Sequence, residues 1–225
     1  MNAPLLLDPS DLLYPDSDGL PMAENTWQYR YIVTIKENLD DMFANVADVF
    51  VAADLFWYPV EGQPTIRQAP DVMVSFGRPK GDRHSYMQWK EKGIAPRVVF
   101  EIWSESNRPG DMMRKLQFYD RYGVQEYYWY DPDNGDLFGY LRKDRGLSPI
   151  ADMNDWPSPS LGIRFTLKDT DLVLYRPSGE RFLTIAEMMG GQKPVVEEKP
   201  GAIAVPLKSE EPQAAFLISN SNDGH

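Results

Sequence analysis

A single α/β domain is what this sequence predicts, and three observations predict it. At 225 residues the chain fits one domain with a tail, and two full domains would not fit. The apolar fraction is 42%, with Phe, Trp and Tyr at 12%, which supplies a sizeable core and is unlike a disordered or fibrous chain. Along the chain, apolar residues at helical spacing give way to short β-branched and aromatic runs, then to a second helical stretch and further runs.

Residues 1–23 hold four prolines among Asp and Ser without period, and read as an irregular arm. A helix begins at Glu24, where Asn25 can cap and Gln28 can return the bond; Trp27, Tyr31, Ile35, Leu39 and Met42 give it a core stripe to about Phe43. Three strand-like segments follow: Asp48 to Tyr58, Asp71 to Phe76 and Arg97 to Trp103. The connection between the last two is long for a compact domain and implies either function or an additional short element. A second helix spans roughly Asp111 to Tyr122, opened by Pro109 and Gly110, striped by Met112, Leu116 and Tyr119, and ended by Gly123. EYYWYD at 126–131 and DLFGYLR at 136–142 flank a DNG turn and form a hairpin. Short strands near Ile163 to Leu167 and Leu172 to Tyr175, and a helix near Ile185 to Met189, complete a domain over 24–191. From Gln192 to the end, Pro, Glu, Ala and Ser mix without period, as in a flexible tail over 192–225.

Several function classes are excluded or disfavoured. There is no cysteine, so disulfides, thiolate metal sites and a cysteine nucleophile are out, and a reducing cytoplasm is the expected compartment. The N-terminus has no basic segment and no long apolar run, which predicts an unexported, soluble chain. Net charge is −11, from 23 basic and 34 acidic residues, the wrong sign for a protein that coats duplex DNA. A local basic excess between Arg78 and Arg97 makes Arg78, Lys80 and Arg83 candidate nucleic-acid contacts, although most such runs are solvated loops. With two histidines, His84 and His225, a His-rich zinc site has too few ligands; no G-x-S-x-G turn, P-loop or G-x-G-x-x-G occurs either.

The chemistry concentrates on three residues. In RVVFEIW, Glu101 shares a face with Val99 and Trp103, so its carboxylate is partly desolvated and needs a cation, a metal or a proton. A salt bridge at a strand edge would serve equally. Asp71 opens the preceding strand directly after Pro70; alone it reads as a turn residue satisfying its own backbone. If the two strands are neighbours, however, both carboxylates converge on one point. Such a pair, with water and substrate phosphate, holds Mg²⁺. Lys115 is four residues after Asp111, with which it can pair, and at the edge of the buried stripe, from which it can present its ammonium at the end of the sheet. It would orient or activate water, or stabilise phosphate charge; a solvated helix lysine is the plainer alternative. The run Tyr127, Tyr128, Trp129, Tyr130 could stack bases but more often such a run is core.

The stretches APDVMVSFG, PRVVFEIWSESNR and DMMRKLQFYDRYGVQEYYWYDPD resemble the Uma-type restriction endonuclease family, placed in the PD-(D/E)xK nuclease superfamily. The resemblance covers about residues 20–190. It implies a restriction-endonuclease-like fold, a central mixed sheet flanked by helices, with Asp71 and Glu101 as metal ligands. Trp103 stands where the superfamily's usual lysine would, two residues after the Glu, so the resemblance gives that role to Lys115 on the following helix. Glu24 and Asp54 are accessory acidic candidates, though a helix dipole equally explains a carboxylate at Glu24. The expected activity is Mg²⁺-dependent (or Mn²⁺-dependent) hydrolysis of DNA phosphodiester bonds, by a homodimer if both strands are cut. Two rivals remain: a catalytically silent interaction or DNA-binding module on the same fold, and a carboxylate-pair hydrolase acting on another substrate.

Overall fold

The computed structural model describes residues 13–16, 19, 23–104 and 107–190. Of the predicted arm only a few residues are among them, and the predicted tail at 192–225 lies outside the described residues.

The valine-rich and aromatic runs pair into one six-stranded sheet. Its strands are β1 (Val49–Ala52), β3 (Val72–Phe76), β5 (Val98–Ile102), β6 (Glu126–Asp131), β7 (Asp136–Lys143) and β8 (Gly146–Pro149), in that spatial order. Between them in sequence come β2 (Trp57–Tyr58) and β4 (Tyr86–Met87), which pair with each other in parallel. Within the large sheet β5 and β6 are parallel and every other pair is antiparallel. A parallel pair needs a crossover, and the helix α2 (Pro109–Tyr122) supplies it. The sheet is therefore mixed and flanked by helices, as expected.

Each face of the sheet has its own cover. Val51, Val74, Phe100 and Tyr128 point to one side, against Ile32, Ile35 and Leu39 of α1 (Thr26–Met42) and Phe165 and Leu174 of a hairpin, β9 (Arg164–Lys168) and β10 (Asp171–Tyr175). Phe50, Met73, Val99 and Tyr127 point to the other, beneath Met112 and Tyr119 of α2. Alternation along the strands thus sends neighbouring residues into two separate cores. A short helix, α3 (Ile185–Gly190), ends the described chain, and no helix among the described residues is long and apolar enough to cross a membrane.

Several local expectations are corrected. The segment from Asp48 to Tyr58 is two strands in different sheets, because the chain turns at Asp54, a residue in the left-handed region (φ 48°) whose N–H donates to the Pro70 carbonyl at 3.1 Å. Asp tolerates that conformation better than most side chains. The long connection before β5 contains the additional element, β4. The buried stripe of α1 is rotated: Trp27 is 49% exposed while Gln28 and Asn38 are buried. Those amides satisfy backbone groups, Gln28 donating to the Ile102 carbonyl and Asn38 to the carbonyls of Thr34 and Leu183, which is what makes their burial tolerable. Asn25 caps α1 as predicted, but Gln28 returns its bond to the N–H of Glu24 and not to that of the cap. The 126–142 hairpin forms, and β8 extends it. Within the arm, Tyr14 is buried, its ring against Tyr58 and Trp89 and its hydroxyl accepting from the Gly62 N–H.

Candidate active site

The site lies where β3 begins and β5 ends. These strands run antiparallel with Val72 opposite Phe100, so one step further along that register Asp71 comes opposite Glu101. Both belong to the face that α2 covers, shared with Met73 and Val99. Asp71 grips the end of β5 directly: its Oδ2 accepts the Ile102 N–H at 2.6 Å.

Glu101 is 1% exposed, and α2 answers it twice. Lys115 Nζ donates to Oε2 at 2.6 Å, and Tyr119, one helical turn later and so on the same helix face, donates its hydroxyl to Oε1. Proline in the first turn and Gly123 at φ 98° define the ends of this helix, and its capping box ties Asp111 to the Arg108 N–H. The expected Asp111–Lys115 pair does not form: Asp111 pairs with Arg114 instead, which leaves the Lys115 stem to run inward along the sheet.

Electrostatics follow from this crowding. Two carboxylates meet one ammonium in a place with little water. Burial, reinforced by the Glu101 charge, pushes the Asp71 carboxyl up to about 8. Burial acts to lower the Lys115 pKa, but Glu101 and Asp71 outweigh it and hold the amine above the ordinary lysine value. Lys115 is therefore a fixed cation and no candidate base at neutral pH. The Tyr119 hydroxyl is raised well above its ordinary value by burial and then by Glu101, so it stays protonated and can only donate to the carboxylate. Tyr127 is also buried beside these charges, and its hydroxyl has no hydrogen-bond partner among the described residues.

The remaining predicted residues divide. Asp54 comes close enough to Asp71 to help raise its pKa. Glu24 sits at the same end of the sheet, where its Oε2 accepts the Ser104 hydroxyl at 2.7 Å, just past β5. Arg78, Lys80 and Arg83 are not gathered into the site. Arg78 follows the far end of β3, about 20 Å along the strand from Asp71 at the usual rise per residue, and the segment that carries Lys80 and Arg83 comes after it. Arg78 and Arg83 both pair with Glu91, at 2.6 and 2.7 Å, and Arg83 also covers the Phe50 ring. The guanidinium groups of Arg78 and Arg83 thus hold the 77–94 segment together around Glu91, while Lys80 is exposed. Of the aromatic run, Tyr127, Tyr128 and Tyr130 are buried, so packing claims them; Trp129 alone stays partly open. Tyr119 is the residue that sequence reasoning missed. Its place in an apolar stripe disguised it, and its signal was a hydroxyl four residues beyond Lys115.

The donor set suits a hard divalent cation. It offers carboxylate oxygens, with no sulfur and no imidazole, and Mg²⁺ asks for only one or two carboxylates besides water and phosphate. The elevated Asp71 pKa marks a negative charge that the single ammonium leaves unbalanced, a deficit that a cation would fill in place of the proton. No group of three or more acidic or histidine side chains poised for a metal occurs among the described residues, so any cation here would rest on the pair.

Residues 23–170 match the Uma2 family, described as "putative restriction endonuclease". Among solved structures, a "putative nuclease belonging to DUF820" from Anabaena variabilis aligns over 62% of this chain and 74% of its own, with 14% identity and a TM-score of 0.41. No curated protein matches the chain.

Proposed function

The chain belongs to the Uma2 family of putative restriction endonucleases, and from that premise we propose that it hydrolyses DNA phosphodiester bonds with Mg²⁺ or Mn²⁺ held by Asp71 and Glu101. The observation that supports this most is the convergence, at one end of the sheet, of two carboxylates from neighbouring strands and an ammonium from the next helix. When bound, the cation supplies a water of lowered pKa and neutralises charge on the phosphate.

The protein's own groups do the positioning. Tyr119 and Lys115 hold Glu101 in one orientation, and the Ile102 N–H does the same for Asp71. Lys115, kept protonated by its carboxylate neighbours, offers positive charge to a phosphate oxygen; it takes the place of the amine that Trp103 lacks. Asp71 and Glu101 would hold the cation, and Lys115, being protonated, would take no proton from water. Cutting both strands of a duplex would take two copies about a two-fold axis.

Cleavage of plasmid and oligonucleotide DNA with Mg²⁺ or Mn²⁺, against chelator, tests the reading. Asp71→Ala and Lys115→Ala are expected to lose about a hundredfold or more in rate, the scale of removing an electrostatic stabiliser. Unchanged rates in both folded variants would mean that these residues are not the machinery. A silent binding module is the second reading, favoured by the full occupation of Glu101 by Lys115 and Tyr119; it stands if no metal condition yields cleavage.

A further inference from the structure

Beside the carboxylates the same sheet face carries a row of aromatic rings that packing does not fully use. Glu101 is in register with Trp129 on β6, and Trp129 with Phe138 on β7. Trp129 and Phe138 lie stacked, 4.3 Å between centroids and 16° between planes, and Trp103 leans on Trp129 at 5.8 Å. Trp103 and Trp129 are partly open, and Phe138 is 41% exposed. At the ordinary strand spacing the row begins about 5 Å from Glu101 and ends about 10 Å away.

We propose that this row, Trp103, Trp129 and Phe138, is a stacking platform for the unpaired bases of single-stranded DNA entering the Asp71/Glu101/Lys115 site. The inference rests on the nuclease reading for its substrate class and narrows it. Two considerations select this occupant. A chain of net charge −11, whose Arg78 and Arg83 are already paired with Glu91, gains little from counterion release, so affinity must come from another source. Base–aromatic stacking is such a source, and it tolerates any sequence because every base has a π-face. Bases in a duplex are already stacked on each other and present only their edges, so an open ring at the wall of a site can reach only a base that is unpaired or flipped out.

Fluorescence anisotropy with a labelled dT oligonucleotide and a duplex of equal length, in chelator so that nothing is cut, measures the platform apart from catalysis. The single strand is expected to bind the wild type more tightly than the duplex does. Phe138→Ala, a change at an exposed position, is expected to weaken single-strand binding about tenfold and leave duplex binding alone, while Phe138→Trp keeps it. Equal single-strand binding by Phe138→Ala, or preference for the duplex, overturns the proposal. So does a Phe138→Ala protein with unaltered DNA binding but a changed sedimentation coefficient, which would make the patch an interface between copies. Single-strand binding that needs Phe138, in a protein that cleaves nothing with Mg²⁺ or Mn²⁺, would keep the platform and remove the nuclease. Cleavage that depends on Asp71 but is indifferent to Phe138 and to strandedness would do the reverse.

Discussion

Asp71 carries the charge that its surroundings cannot balance, and stability should report it. Its folded pKa of about 8 lies above the ordinary 3.8, so between about pH 4 and pH 8 the folded chain keeps a proton that the unfolded chain has released. The contribution is complete at the acid end of that window and is lost as the pH climbs through 8. In metal-free buffer the melting temperature should therefore decline across the window, and Asp71→Asn, which has no charge to bury, should flatten this part of the decline. Mg²⁺ should bind more tightly as the pH rises, because it competes with the same proton. An unaltered slope in Asp71→Asn would show that another group carries the effect. At this scale the sequence was legible where polarity and position conflict: a Glu inside RVVFEIW declares itself. Tyr119 was not legible, since nothing in a helical stripe separates a tyrosine that packs from one that packs and also donates.

Elements hold the site through their ends. α1 ties its first turn to the end of β5 through Gln28 and Glu24, and α2 spans the parallel pair while delivering Lys115 and Tyr119 together. The β6–β7 turn locks against the β9–β10 turn: Gly135 has φ 72°, a side-chain carbon there would come within 2.8 Å of the Thr170 Cα, and Tyr130 donates to the Thr170 carbonyl at 2.6 Å. Gly135→Ala should cost about 2 kcal/mol or more in urea unfolding, from left-handed strain plus backbone overlap. A midpoint within error of wild type would mean that the two turns move apart freely. Most elements were readable from period and caps. The break between β1 and β2 was not, because both halves are equally apolar and the left-handed turn at Asp54 is set by its bond to Pro70, sixteen residues on.

For the whole molecule, two cores on opposite faces of one sheet leave the site at an end where a helix, two strands and an aromatic row meet. A domain over 24–191 is the expectation from the sequence, and the described residues reach 190. A chain ending at residue 191 is therefore expected to melt, and to cleave if the full chain cleaves, as the full chain does. A drop of several degrees would place 192–225 in the folded unit. Charge also acts at this scale: with a net −11, and Arg78 and Arg83 both paired to Glu91, the proposed binding of a nucleic acid has to lean on the aromatic row.

By itself the sequence determined which segments are apolar at which period, where helices can start and stop, and which charged groups sit in places that oppose their charge. Those are local properties, fixed by neighbours within one turn or one strand. Only the tertiary structure decided that Asp71 stands opposite Glu101, that Lys115 turns to Glu101 and away from Asp111, and that Glu91 gathers Arg78 and Arg83 far from both. Each of these is a pairing between segments distant in sequence, chosen by strand register and by competition among several possible partners for the same charge.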